Sequence, residues 1–194
     1  MTAEGLVFID SSFTDKKGDF SVKGSTKELI FCALMVLDKQ MVYLALNNAT
    51  EATLAIDATT TGINYTITGK NVEESQSLKD LLKLNEGFSS RIKALEAEAS
   101  KLNPNTDEGF NKMQKLQADY YANLSERAAA ILSFAKARPS SFIPFFILHF
   151  NVVQEPTIEL LTVARDAAVK ADPTSKYTQM IQQKYQEEAK LMVG

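Results

Sequence analysis

Hydrophobic and polar positions alternate with two different periods along this chain. Over residues 5–69 the spacing is two. "GLVFID" and "DFSVKG" flank "TDKKG", where Gly18 is free to take a positive φ. In "DFSVKG", Phe20 and Val22 alternate with Ser21 and Lys23, the pattern of a half-buried strand. "ELIFCALMVL" is too uniformly apolar for an exposed sheet face and fits either a fully buried strand or a buried helix; the turn "DKQ" and the strand-like "MVYLALN" after it favour a hairpin. "ATLAID" and "INYTITG" come next, separated by "ATTTG" and rich in the β-branched and aromatic residues that suit a pleated surface. Short strands with regular turns predict an antiparallel meander or sandwich.

Near residue 72 the period lengthens to that of a helix. Leu78, Leu81, Leu82, Phe88, Ile92, Leu95, Ala99 and Leu102 form one stripe. Pro104 breaks it, and Asn105 or Thr106 is placed to cap the next helix. A second stripe holds Phe110, Met113, Leu116, Tyr120, Leu124, Ala128, Ile131 and Ala135. Two segments of similar length with a short polar connection predict an antiparallel helical hairpin over 75–137. "SFIPFFILHFNVV" predicts a buried central helix at about 141–153, far too short to span a bilayer. Two amphipathic helices complete the chain, at about 156–171 and 174–192. The first buries Ile158, Leu161, Ala164 and Ala168. The second is capped by Asp172 with Pro173 in its first turn, and buries Tyr177, Met180, Ile181 and Tyr185. The fold class is therefore α+β: a sandwich-like antiparallel β domain over 1–72, then a helical region over 73–194 with a long hairpin.

Composition narrows the chemistry. A chain of 194 residues with 45% hydrophobic and 23% charged residues has ordinary globular values. Lys plus Arg is 21 against Asp plus Glu 24, so no basic excess is available for phosphates and no nucleic-acid partner is expected. Cys32 is the single cysteine and His149 the single histidine. That rules out an internal disulfide, a CxxC pair and most metal-ligand sets, so neither cofactor nor metal is expected.

The candidates for chemistry each have a structural reading. Cys32 sits between Phe31 and Ala33 with no cation or helix start nearby, as a small hydrophobe in a buried strand does. His149 would need an orienting acid and a nucleophile to act as a base; "FFILHFN" offers neither, so it reads as a histidine packed or hydrogen-bonded at the edge of an aromatic helix. A hydrolase using His149 is the weakest of the functional alternatives. Neighbouring carboxylates at Glu73-Glu74, Asp107-Glu108 and Glu187-Glu188 point about 100° apart on a helix, and the first two pairs suit a helix dipole. "TGINYTITGK" lacks the spacing of a phosphate-binding loop, and the Asn48, Asn64 and Asn123 sequons are a weak signal. Tyr120 and Tyr121 are adjacent and cannot both face one seam, which marks them as a candidate interaction surface on the hairpin.

The order of these pieces resembles a known arrangement. "FIDSSFTDKKGDFSVKG", through Asp10, Ser11, Gly18, Phe20 and Gly24, is similar to the first hairpin of the N-terminal accessory domain of TlpA-like (AhpC/TSA-like) thioredoxin-family thiol:disulfide interchange proteins of Gram-negative bacteria. "YTITGKNVEESQSLKDLLK" resembles that family's strand ending in Gly before its first helix. "FAKARPSSFIPFFIL" resembles a helix turn through Pro139, Ser140 and Ser141, and "DPTSKYTQMIQQKYQEEAKLMVG" the last helix before the redox domain. The family's signal or lipoprotein segment and one or two early strands are not matched: "MTAEGLVFIDSS" has no basic n-region and no apolar h-region. No position matches the family's CxxC, so no catalytic residue carries over. The resemblance implies a non-catalytic accessory domain, periplasmic or membrane-anchored. Its expected partner is a C-terminal thioredoxin-like domain lying beyond Gly194, with a protein partner or self-association besides. The alternative is a stand-alone envelope binding module with no redox neighbour.

Overall fold

The computed structural model describes residues 8–37, 40–57, 59–60, 62–153 and 155–193. The chain is α+β, with element order β1 (Ile30–Val36), β2 (Gln40–Leu46), β3 (Glu51–Ile56), β4 (Tyr65–Lys70), α1 (Glu73–Ala99), α2 (Asp107–Lys136), α3 (Ile143–His149), α4 (Ile158–Ala171) and α5 (Lys176–Val193). It divides into two compact units, Met1–Lys79 and Asp80–Gly194, and α1 contributes to both.

In the first unit, β1 pairs antiparallel with β2, setting Cys32 opposite Leu44 and Leu34 opposite Val42. β3 pairs antiparallel with β4, setting Leu54 opposite Ile67 and Ile56 opposite Tyr65. These are two separate two-stranded sheets. Two-residue alternation sends one face of each inward, as the sequence pattern implies. Val42, Leu44, Tyr65, Ile67 and Val72 form a buried cluster, and Cys32, Leu34, Val36, Leu46, Leu54, Ile56 and Ile63 pack around it. A two-stranded hairpin alone is marginal in water, and this shared core lets each sheet cover the other's apolar face.

The turn read as "DKQ" differs in detail. Gln40 belongs to β2, opposite Val36, while Leu37 takes φ 52° and residues 38–39 lie outside the described ones. Within "ATTTG", residues 58 and 61 lie outside them too.

The predicted first hairpin is corrected. Residues 5–7 of "GLVFID" lie outside the described residues; over 8–24 the turn forms but the strands do not. Asp15 Oδ1 accepts the N–H groups of Lys17 and Asp19 at 2.8 and 2.9 Å, and Gly18 takes φ 87°. The two sides approach, with Lys23 N–H donating to Asp10 Oδ2 at 3.2 Å. No ladder forms between them, and Phe8 and Phe13 are 79% and 97% exposed. Local turn chemistry forms the bend, but strands also need a buried face, and among the described residues 8–24 only Phe20 is even half-buried.

In the second unit the helical hairpin is present. Thr106 caps α2, its hydroxyl accepting the Gly109 N–H at 3.1 Å. The buried stripe of α2 runs through Gly109, Leu116, Asn123, Ile131 and Ala135, so two members of the stripe read from sequence are misplaced. Phe110 is 53% exposed and Ala128 is exposed, while Gly109 and Asn123 face inward. Close approach decides the first: a Cβ on Gly109 would lie 1.9 Å from the Asn103 carbonyl oxygen.

The aromatic segment forms a helix of seven residues, not the thirteen expected over 141–153. Pro144 stands in its first turn, and Asn151, just past its end, takes φ 51°. Residues 141–148 are all buried. α3 packs against α4, which packs against α5. The buried positions of α4 are Leu160, Leu161, Ala164, Ala167 and Ala168, with Ile158 half-buried. Asp172 does not cap α5. It accepts the Thr174 N–H at 2.8 Å in a turn that also holds Pro173. The Ser175 hydroxyl instead accepts the Tyr177 N–H at 3.2 Å where α5 begins.

Candidate functional site

Cys32 lies on the inward face of β1, half-buried against the cluster of both hairpins. Burial pushes its thiol up to about 11. A thiolate is favoured by cations, a helix start or polar surroundings; here the sulfur meets apolar side chains, so the neutral thiol persists across ordinary pH. The sequence pattern puts Cys32 in a buried strand; the structure places it in the strand and only half covered.

His149 ends α3 and is exposed. Its ring stacks on Phe145, with centroids 5.1 Å apart and planes at 16°, and meets Phe150 edge-on at 4.8 Å. A cleft of about 360 Å³ lies beside it. Phe145, Leu148, Met180 and Ile181 form the apolar wall, and Lys184, Glu187 and Glu188 the charged rim. Burial of the ring, and then the Lys184 ammonium, lowers the imidazole below its ordinary pKa. The Glu187 Oε1 accepts a hydrogen bond from Gln183 Nε2 at 2.9 Å. The cleft thus sets one imidazole near one ammonium and two carboxylates, with no hydroxyl or thiol nucleophile among its lining residues.

A second cavity, of about 510 Å³, runs along Ala55–Asp57 and Ile63–Thr66. Its carboxylate is engaged in a turn: Asp57 Oδ1 accepts from the Thr59 hydroxyl at 2.6 Å and its N–H at 3.0 Å. Those bonds, the hydroxyl first, hold the carboxyl below its usual pKa. Among the described residues, no three His, Cys, Asp or Glu side chains are grouped to hold a metal ion.

Tyr120 and Tyr121 behave as adjacent helical residues must. Tyr120 is half-buried, Tyr121 is 60% exposed, and their rings meet edge-on at 5.8 Å. Phe110 stands eleven residues before Tyr121, about three helical turns, so both exposed rings lie on the same side of α2. The apolar stripe puts Phe110 in the seam, which hides this pairing from a reading of the sequence. Glu73-Glu74 and Asp107-Glu108 occupy the first turns of α1 and α2, where carboxylates complement the helix dipole. Of the sequon residues, Asn48 is exposed and accepts the Thr26 N–H at 2.7 Å, while Asn123 is buried.

No helix of the described residues is long and apolar enough to cross a membrane. No family model, no curated protein and no solved structure matches the chain.

Proposed function

We propose that this chain is a non-catalytic accessory module of an envelope thiol-disulfide oxidoreductase, which positions a thioredoxin-like domain or recognises that domain's partner. The observation carrying this reading is the setting of Cys32. Disulfide exchange begins with a thiolate and is completed by a second thiol. The sole cysteine is held neutral by apolar packing and has no second thiol in the chain. The exchange chemistry therefore belongs to other polypeptide. The order of the motifs around Asp10, Gly18, Gly24, Gly69 and Pro139 supports the choice of neighbour by resemblance.

An insulin-reduction assay on the purified chain tests the non-catalytic half; the expected result is no turnover. Turnover that disappears in Cys32→Ser overturns it. The coding sequence beyond the Gly194 codon tests the other half: a CxxC inside a strand-then-helix pattern supports the accessory reading, and a stop codon sinks it.

That second outcome leaves a stand-alone envelope binding module. Phe110 and Tyr121, exposed together on α2, favour this alternative. Aromatic side chains supply large contact area at small entropic cost, which is why they recur in binding surfaces.

A further inference from the structure

We propose that Asn123 divides the α1–α2 hairpin into an inner clamp and an outer arm, and that the arm, residues 89–122, opens locally while the clamp stays folded. Gly109, Leu116 and Asn123 are buried on α2 at intervals of seven. On α1, Leu81 and Phe88 are buried seven apart, and Leu95 continues the interval half-buried. Positions seven apart fall on one side of a helix, and Asn123 of α2 reaches the Phe88 carbonyl of α1, so these two sides face each other along a seam.

At one layer of that seam a polar group replaces an apolar one. Asn123 is 5% exposed. Its Nδ2 donates to the Phe88 carbonyl at 3.3 Å, and its Oδ1 finds no partner. A buried amide lowers stability relative to an apolar side chain of similar size unless its hydrogen bonds are all made. An unmade bond at a buried carbonyl oxygen deepens that loss.

The two sides of this layer are held very differently. On the inner side, Arg127 donates to Asn85 Oδ1 at 2.8 Å and to the Val152 carbonyl at 2.7 Å. Ile131 and Ala135 are wholly buried. On the outer side, among residues 89–122, Gly109 and Leu116 alone are buried. The Arg91–Glu126 ion pair at 3.0 Å is exposed at both ends, and such pairs contribute little. Local opening tracks the distribution of buried apolar contact, and beyond Phe88 and Asn123 that contact thins to buried Leu116 and a few half-buried side chains. Opening the arm bares the Ile92, Leu95, Met113 and Tyr120 side of the seam while leaving the rest of the unit intact.

Native-state amide exchange on the full chain, read by mass spectrometry, tests the proposal. Amides of 92–99 and 113–120 are expected to exchange at least about tenfold faster than those of 81–88 and 128–135. Asn123→Leu, which continues the apolar seam, is expected to slow the first set severalfold and leave the second unchanged. Equal rates in the wild-type chain overturn the proposal whatever the variants do. A rate ratio unchanged in both Asn123→Leu and the smaller Asn123→Val overturns the role of Asn123.

Discussion

The Ser75 hydroxyl accepts the Ala45 N–H at 2.9 Å and donates to the Ala45 carbonyl at 2.8 Å. Ser75 is wholly buried in the first turn of α1, and Ala45 is buried in β2. One side chain thus satisfies both backbone groups of a strand residue and pins the helix start to the edge of β2. The same bonds occupy the edge groups at Ala45 through which another strand would add.

Ser75→Ala removes the hydroxyl and leaves the Ala45 N–H and carbonyl buried without it. Each such orphaned group costs about 1–3 kcal/mol. The expected loss is about 2–4 kcal/mol, read by urea denaturation monitored by circular dichroism. Ser90→Ala, at an exposed position of the same helix, serves as the control and is expected to shift stability by less than about 0.5 kcal/mol.

Two glycines respond in opposite directions to the same substitution. Gly69 in β4 takes φ 131°, and a Cβ there would lie 1.9 Å from the Glu51 carbonyl oxygen on the paired strand. Gly69→Ala meets both backbone strain and a clash with main chain, and is expected to destabilise by more than about 2 kcal/mol. Gly87 lies inside α1, exposed, with nothing within 4 Å of an added Cβ. Gly87→Ala is expected to stabilise by about 0.5–1 kcal/mol, because alanine loses less backbone entropy in a helix. Thermal unfolding of the two variants side by side gives the signs directly.

How much of this was legible in the sequence depends on how local the cause is. The strands around Tyr43, Leu54 and Ile67 could be read from their side-chain pattern, and α1, α2, α4 and α5 from their longer period, because each pattern directly reports a buried face; the strand around Cys32 was uniformly apolar and legible only from the turn and strand after it. The first hairpin could not. Asp15 and Gly18 make the turn, whereas a ladder between its arms depends on surfaces elsewhere in the fold. In α2, hydrophobicity nominated Phe110 and Ala128, but the seam goes through Gly109 and Asn123. A seven-residue interval counted from Leu116 in both directions would have found them. The length of α3 was hidden because every residue of 141–148 is buried, so no polar face marked where its helix ends. Cys32 was legible as an apolar-packed thiol from its neighbours, and the cleft at His149 was not, since Lys184 and Glu187 reach it from a helix far along the chain.

The Cys32 thiol, raised by burial to about 11, makes alkaline pH a test of its packing. In the unfolded chain a cysteine ionises near pH 8.5. The native state favours the neutral form, so the contribution of this group to stability is complete below about pH 8.5 and is lost as pH rises towards 11. Urea midpoints measured from pH 7 to 10.5 are expected to fall over that range in the wild type and to fall less in Cys32→Ala. Alkylation by iodoacetamide is expected to be slow at pH 8 and to accelerate on denaturation. Equal rates for the native and urea-unfolded chain would mean that the sulfur is not held as described.

His149 offers the cleanest titration in the molecule, because a single imidazole gives one resolvable set of proton resonances. Burial against Phe145, then the Lys184 ammonium, lowers its pKa. The NMR midpoint is therefore expected below about 6.5. Lys184→Ala removes the second cause and is expected to move it upward, while the wild-type ring stays stacked. Phe145→Leu relieves part of the first cause by shortening the ring's cover and is expected to move it upward as well. The sign for stability is set by the unfolded chain binding the proton first: the contribution of His149 is present above its unfolded pKa and is lost as pH falls through the lowered folded value. His149→Leu is expected to flatten the acid limb of the stability profile in that window. A wild-type midpoint above 6.5 would place the carboxylates of Glu187 and Glu188, which line the same cleft, in control of the ring instead of Lys184.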